Sequence, residues 1–405
     1  SSITLIGAPS ARDRHTAIWT GDEMVIWGGD EGANYTATGG RYDPVSDQWL
    51  DTNTSNAPTA RTDHVGVWSG SEMIVWGGND SSSTATGGRY DPLNDTWEPT
   101  SVDSAPAPRW GESVVWTGDE MIVWGGAFAS IAGNPETNTG GRYDPMTDSW
   151  SSTSVSATMP STVKERSLHT SVWTGNELII WGGDNEVDGI LASGARYHPA
   201  TNQWQDLETT NEPASRYLHT AVWTGTEMIV WGGFDGSNYL NTGAHYDPLS
   251  NTWQPTNQTF QPSGRFGHTA IWTGSKMLVW GGFDGQNLVN TGGLYDPKIA
   301  RGSMAWEDVE LVNAPSPRYY HTAIWTGDEM IVWGGVNASD SLQTGGRYDV
   351  GTQTWSTTTI QNAPSKRQFH TAVWTGYEML IWGGTDDGEM ASGSGYDPNN
   401  NTWDA

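Results

Sequence analysis

Apolar and polar positions along this chain alternate in short bursts that recur from end to end. "HTAIWTG" at residues 15–21 sets apolar side chains two apart, and "EMVIWGG" at residues 23–29 follows as a nearly unbroken apolar run. A period of two predicts a strand, and a short apolar run bounded by turn residues predicts a strand covered on both faces. The Thr-Gly-Asp between them joins the two as a hairpin. "GGRYDP" at residues 39–44 predicts a third strand ending at an Asp-Pro turn, and a fourth begins at Trp49 and runs toward Ala-Pro. We label these strands A, B, C and D.

The same phrase restarts at Arg12, Arg61, Arg109, Arg166, Arg216, Arg265, Arg318 and Arg367, at intervals of 49, 48, 57, 50, 49, 53 and 49 residues. Periods of this length belong to arrays in which one unit cannot cover its own apolar surface and stacks on its neighbours. A four-stranded sheet with rings on both faces does so by radial stacking into a propeller. Of the 25 tryptophans, 24 occupy three framework positions in eight units, those of Trp19, Trp27 and Trp49, and Trp110 is left over. Residues 1–405 thus read as a single eight-bladed domain.

Arg-x-x-His opening strand A, Gly-Gly closing strand B, Tyr-Asp-Pro on strand C and Trp on strand D resemble the kelch family over essentially the whole chain. The resemblance implies an all-β, eight-bladed propeller with four antiparallel strands per blade, whose binding face lies where strand A begins and the B-to-C loops emerge. It does not select a function, because kelch propellers include protein-binding adaptors, sugar-modifying enzymes and oxidases. The copper-radical oxidases among them use a Cys-linked Tyr, and a chain with no Cys is not one of these. "ITLIGAPSAR" at residues 3–12 aligns with "TTTIQNAPSKR" at residues 357–367. Residues 1–11 are therefore expected to complete blade 8 as its missing strand, with residues 1–6 paired beside Trp403, as other kelch propellers close.

Composition narrows the partners. With 19 Lys and Arg against 47 Asp and Glu, a net charge of -28 repels nucleic acid. The longest mostly apolar run, residues 121–133, is interrupted by glycines and is short of the roughly 20 residues that span a bilayer, so no membrane insertion is expected. Residues 1–14 lack the features of a signal peptide. Acidity, few lysines and Ser/Thr/Asn-rich loops favour a mature, exported chain, extracellular or periplasmic, and monomeric.

The repeated side chains have plain readings beside chemical ones. The seven strand-A histidines share a blade face with the framework Trp, which predicts groups wedged between blades rather than converging metal ligands. The opening arginines could hold carboxylates at the ring's mouth, but a residue used in every blade usually serves the blade. Asp235, Asp284 and Asp386 follow Gly-Gly in turn sequences; a calcium site there is the weaker alternative, since no unit carries a complete calcium loop. No other cofactor is expected. No nucleophile elbow, zinc motif or phosphate loop occurs, so an enzyme is the less favoured reading.

The residues just after each opening Arg vary, and among them are the rings of Trp110, Tyr217, Phe266, Tyr319, Tyr320 and Phe369. Blade 3 departs most. Glu112 stands where seven units have His, its B-to-C loop at residues 127–139 has 13 residues against 8 to 10, and its Trp150-to-Arg166 crossing is four residues longer than the others. These departures share one end of the ring. Arg109, Trp110, Glu112 and Phe128 are therefore expected to border a ligand pocket, with Trp110 a stacking platform, Arg109 holding an anionic or hydroxyl group, and Glu112 an acceptor or, with turnover, an acid/base. Arg216, Tyr217, Phe266, Tyr319, Tyr320 and Phe369 complete the candidate face. The leading reading is a module binding protein or polysaccharide there. The alternatives are a mutarotase- or epimerase-like enzyme with a central pocket and a structural part of an extracellular assembly.

Overall fold

A computed structural model describes residues 3–128, 135–153, 160, 163–299 and 303–404. They form eight four-stranded antiparallel sheets, each ordered A-B-C-D, and one small hairpin, Asp184–Asn185 with Gly189–Ile190, in the B-to-C loop of blade 4. Blade 3 is representative, with Ser113–Trp116, Met121–Trp124, Gly140–Asp144 and Ser149–Ser152 as its strands. The innermost strands touch around the ring, and Thr16–Trp19 of blade 1 meets Thr371–Trp374 of blade 8 to close it.

The core lies between the blades rather than inside them. Val67, Ile74 and Trp76 of blade 2 pack with Met121, Val123, Tyr143 and Trp150 of blade 3, and the other joints repeat this arrangement. Strand B reads as an unbroken apolar run because its alternate residues serve opposite joints: Met121 and Val123 face blade 2, while Ile122 and Trp124 face blade 4. At each joint a strand-B Trp meets the strand-D Trp of the next blade, as in Trp27–Trp97 at 5.2 Å and Trp382–Trp49 at 4.6 Å. Tilted ring pairs of this kind add to the burial itself.

Histidine supplies the polar link. The His169 ring stands edge-on to Trp124, and its Nε2 lies 2.9 Å from the Ser113 hydroxyl of the preceding blade. His219 meets Thr170 at 2.7 Å, and His15 meets Thr371 at 2.9 Å across the closure. Each imidazole has its own hydroxyl, so the ring of histidines does not converge on an ion. Burial pushes His15 and His169 down to about 3 and keeps them neutral.

The opening arginines are internal staples. Arg109 Nη1 donates to the Gly125 carbonyl at 3.0 Å and the Thr139 carbonyl at 2.6 Å, Nη2 to Thr139 Oγ1 at 2.9 Å, and Nε to the Ala107 carbonyl at 3.0 Å. Arg12, Arg61, Arg265, Arg318 and Arg367 repeat the pattern. One planar donor fork thereby fixes the crossing from strand D, the end of strand B and the start of strand C.

Closure differs from the expected strand exchange. The fourth strand of blade 8 is Thr402–Trp403, from the C-terminal part of the chain, and it pairs with Gly393–Asp397. Among the described residues, the N-terminal segment adds no strand to that sheet. Instead Ile3 is buried between Trp49 of blade 1 and Trp382 of blade 8, and the Thr4 N–H donates to Asp47 at 2.9 Å. Asn53 and Thr359 make the same bond to Asp95 and Asn401. Residues 3–12 match residues 357–367 in the D-to-A crossing that follows strand D, so residues 3–11 supply the crossing onto blade 1.

His219 is held well below its usual range by burial, whereas the unfolded chain protonates it near 6.5. The unfolded state binds the extra proton below that pH, so this group's contribution is complete above about 6.5 and lost as pH falls. His219→Ala should therefore cost about 1–3 kcal/mol at neutral pH, through a cavity and an orphaned hydroxyl, and less in acid. Urea midpoints of parent and variant at the two pH values check this; a cost that does not change with pH contradicts it.

Candidate functional site

The candidate face is the end of the ring where strand A begins. The residue after each opening Arg forms a bridge with the residue after Gly-Gly: Trp110 with Ala127, Tyr217 with Phe234, Phe266 with Phe283, and Tyr319 with Val336. This holds the variable side chains in a circle above the framework. Trp110, Tyr217, Phe266 and Tyr319 are half-buried there. Tyr217 and Phe266 belong to a connected group of rings, in which Tyr239 contacts Phe234 at 4.9 Å and stacks on Phe266 at 5.6 Å.

The next residue is more telling. It adopts left-handed backbone in every blade, with Arg14 at φ 49°, Asp63 at 54°, Leu168 at 53°, Leu218 at 54°, Tyr320 at 54° and Phe369 at 55°, while Gly111 and Gly267 occupy the other two. Bulky residues adopt that conformation at a cost on the order of 1–2 kcal/mol, which glycine avoids. Leu168, Leu218, Tyr320 and Phe369 are nevertheless 50%, 40%, 44% and 44% exposed. Tyr319, Tyr320 and Phe369 form a continuous stack, with centroids 4.2 Å and 4.9 Å apart. Blades 4, 5, 7 and 8 thus present apolar tips around the mouth, and blades 1 and 2 present charges. This shared conformation has no signal in residue type, and Leu168 and Leu218 were not anticipated from the sequence.

The blade 3 residues are distributed differently from the expected pocket. Arg109 and Arg216 are fully buried and their guanidiniums are committed to backbone carbonyls, so neither presents a hydrogen-bonding group at the surface. Burial lowers both to about 10 without removing their charge near neutrality. Phe128 lies 6.0 Å from the Arg109 guanidinium and covers it. Residues 129–134 of the long loop, and 154–159 with 161–162 of the long crossing, lie outside the described residues.

Glu112 is 7% exposed and sits in the joint between blades 2 and 3, with neither carboxyl oxygen hydrogen-bonded. Its Oε1 approaches Gly77, as the His64 ring approaches Gly28 one blade earlier. The hydroxyl that receives His in the other joints is also missing, because blade 2 has Val65 at that strand position. A His–hydroxyl pair has thus been replaced on both sides. Burial raises Glu112 to about 8, opposed by Arg109 and assisted by Asp63. The "HVGVW" of blade 2 was the sequence signal that Glu112 belongs to this joint rather than to a ligand.

Asp235 and Asp284 close their own turns. Asp235 accepts the Ser237 and Asn238 N–H groups at 2.8 and 2.6 Å, and Asp284 accepts those of Gln286 and Asn287 at 3.0 and 2.8 Å. Asp386 pairs with Lys366 at 3.1 Å. Among the described residues no group of three or more His, Asp or Glu is placed to hold a metal.

Eight radial sheets, a variable apolar mouth and the repeated Arg, His, Gly-Gly, Tyr-Asp-Pro and Trp framework define a kelch-type β-propeller. Residues 38–291 match the Attractin/LZTR1 beta-propeller family, and the chain belongs to it. Residues 258–405 match the KLHDC2/KLHL20/DRC7 Kelch-repeats domain. No curated protein matches the chain. Kelch propellers are generally protein-binding modules.

Glu112 also sets a pH dependence opposite to that of histidine. Its folded-state value of about 8 lies above the ordinary 4.5, so the folded protein holds the extra proton and loses stability as pH rises through that window. Glu112→Gln should leave acid stability nearly unchanged and raise stability at mildly alkaline pH by on the order of 2–4 kcal/mol. Denaturant titrations in acid and alkali check this, and a pH-independent difference between parent and variant contradicts it.

Proposed function

We propose that this propeller is an exported binding module that docks a protein on the face where strand A begins. The observation that carries this reading is the set of exposed Leu168, Leu218, Tyr320 and Phe369 held in left-handed backbone. Strain of this kind concentrates where it serves a site. An exposed cluster of aliphatic and aromatic tips suits the apolar centre of a protein interface, where a few aromatic anchors supply most of the affinity. The kelch match supports protein as the partner class. Trp110, Tyr217, Phe266 and Tyr319 form the half-buried floor behind these tips. Export is part of the same proposal, supported by 47 acidic against 19 basic residues and by Ser/Thr/Asn-rich loops.

The test uses the turn itself. Peptides selected from a displayed library on the immobilised propeller are measured against the parent and against Tyr320→Gly and Phe369→Gly. Either substitution should weaken binding by about 2 kcal/mol or more, the usual size of an aromatic anchor. The same change should hold or raise the melting temperature, because glycine relieves the backbone. Unchanged affinity in both variants would remove this face from the account.

A further inference from the structure

The opposite end of the ring carries a second repeated arrangement. Strand A ends there on a half-buried Trp, strand B begins just after a carboxylate, and strand C carries a guanidinium on the same face as that carboxylate. At the joint of blades 2 and 3, Glu72 and Arg89 project toward blade 3, whose Trp116 faces back. At the next joint, Glu120 and Arg142 project toward Trp173. All six line one open cleft of about 1110 Å³. A second cleft, of about 740 Å³, contains Glu23, Arg41 and Trp68 from the joint of blades 1 and 2.

One edge of each guanidinium serves the fold. Arg89 Nη1 donates to the Pro145 carbonyl at 2.8 Å, and Arg142 Nη1 to the Pro199 carbonyl at 2.6 Å, tying each blade to the C-D turn of the next. Their carboxylates stand 3.6 and 3.5 Å away. The Nη2 groups of Arg89 and Arg142 make no hydrogen bond among the described residues, and neither do the Glu72 and Glu120 carboxylates beyond those ion pairs. Each joint therefore offers an indole, unused donors and unused acceptors side by side on a polar cleft wall. Glu72, Asp91, Asp119, Glu120 and Asp144 stand against Arg89 and Arg142 in the larger cleft, an acidic excess that disfavours an anionic ligand.

We propose that these clefts bind neutral pyranose units, with the indole of Trp116 or Trp173 against the apolar C–H face of the sugar and the Arg–Glu pair against neighbouring hydroxyls. The chemistry matches on both sides: a pyranose has one apolar face and an edge of hydroxyls that both donate and accept. Hydrogen bonds from ionised partners are the stronger kind, and an aromatic wall with a few placed polar groups is the usual form of a small-ligand site. Glu329, Arg347 and Trp374 repeat the set at the joint of blades 7 and 8. Three joints lack it: blade 5 has His245 in place of the arginine, blade 6 has Lys276 and Leu294, and blade 8 has Gly395. The sites thus recur at blade spacing around one rim, which favours a chain of sugars over a single one through effective concentration. They lie at the opposite end from the proposed protein face and stand independently of it.

The test is a titration of the full chain with neutral hexaoses of glucose, mannose, galactose and xylose, with their monosaccharides and with polygalacturonate, read by tryptophan fluorescence and calorimetry. At least one neutral hexaose should bind, about tenfold or more tighter than its monosaccharide. Trp116→Ala combined with Trp173→Ala should lower the stoichiometry by the sites of the larger cleft. Glu72→Gln combined with Glu120→Gln, which keeps size and shape, should do the same without lowering the melting temperature. No neutral sugar bound at about 10 mM, an affinity too weak for a specific site, would overturn the proposal. So would binding confined to the polyuronate, or unchanged stoichiometry in the glutamine variant.

Discussion

Every sheet in this molecule is apolar on both faces, and the rest of the structure follows from that constraint. Strand B of blade 3 shows it most simply, since Met121, Ile122, Val123 and Trp124 are all fully buried although only two of them face any one neighbour. Opening one joint would expose half of that surface to water, at roughly 25 cal/mol per Å² of apolar area. The joints, rather than the blades, are therefore the units of stability. Arg109 and its counterparts hold each blade's loops in register, and the His–hydroxyl pairs and Trp–Trp contacts orient one blade against the next.

The framework occupies so many positions that departures from it can be assigned by where they fall. Glu112 and Val65 depart together within one joint, where a buried carboxyl and an apolar side chain replace the His–hydroxyl pair. Leu168, Leu218, Tyr320 and Phe369 depart at a turn that faces solvent, where nothing in the ring requires them. The far rim is a third case, because Arg89 and Arg142 are framework residues that retain an unused hydrogen-bonding edge. Framework and binding chemistry coincide there, and repetition alone does not separate them.

Period and residue type made the architecture legible: eight starts, four strands each and 24 framework tryptophans define the ring before any coordinate. Partners were less legible, because spacing does not reveal what a side chain meets. Arg109 resembles a ligand-binding group until its guanidinium is seen bonded to Gly125 and Thr139. Glu112 and Trp110, two residues apart, looked like parts of one site, yet one enters a joint and the other lies on the candidate face. The N-terminal segment keeps the register of its repeat but forms the crossing rather than a strand, because sequence identity does not show where strand D ends and its crossing begins. Left-handed backbone at Leu218 and Phe369 was invisible, since neither residue type suggests it.

Stability resides in the joints, and the closure between blades 8 and 1 is equivalent to the others, made by Trp382 on Trp49, His15 on Thr371 and the buried Ile3. Native-state hydrogen exchange of the strand-B amides, followed as a function of denaturant, measures this directly. The account predicts that Met24–Trp27 and Met379–Trp382, the strands flanking the closure, open with the same free energy as Met228–Trp231 on the far side of the ring. Opening of the first two at several kcal/mol less, in a separate step, would contradict it.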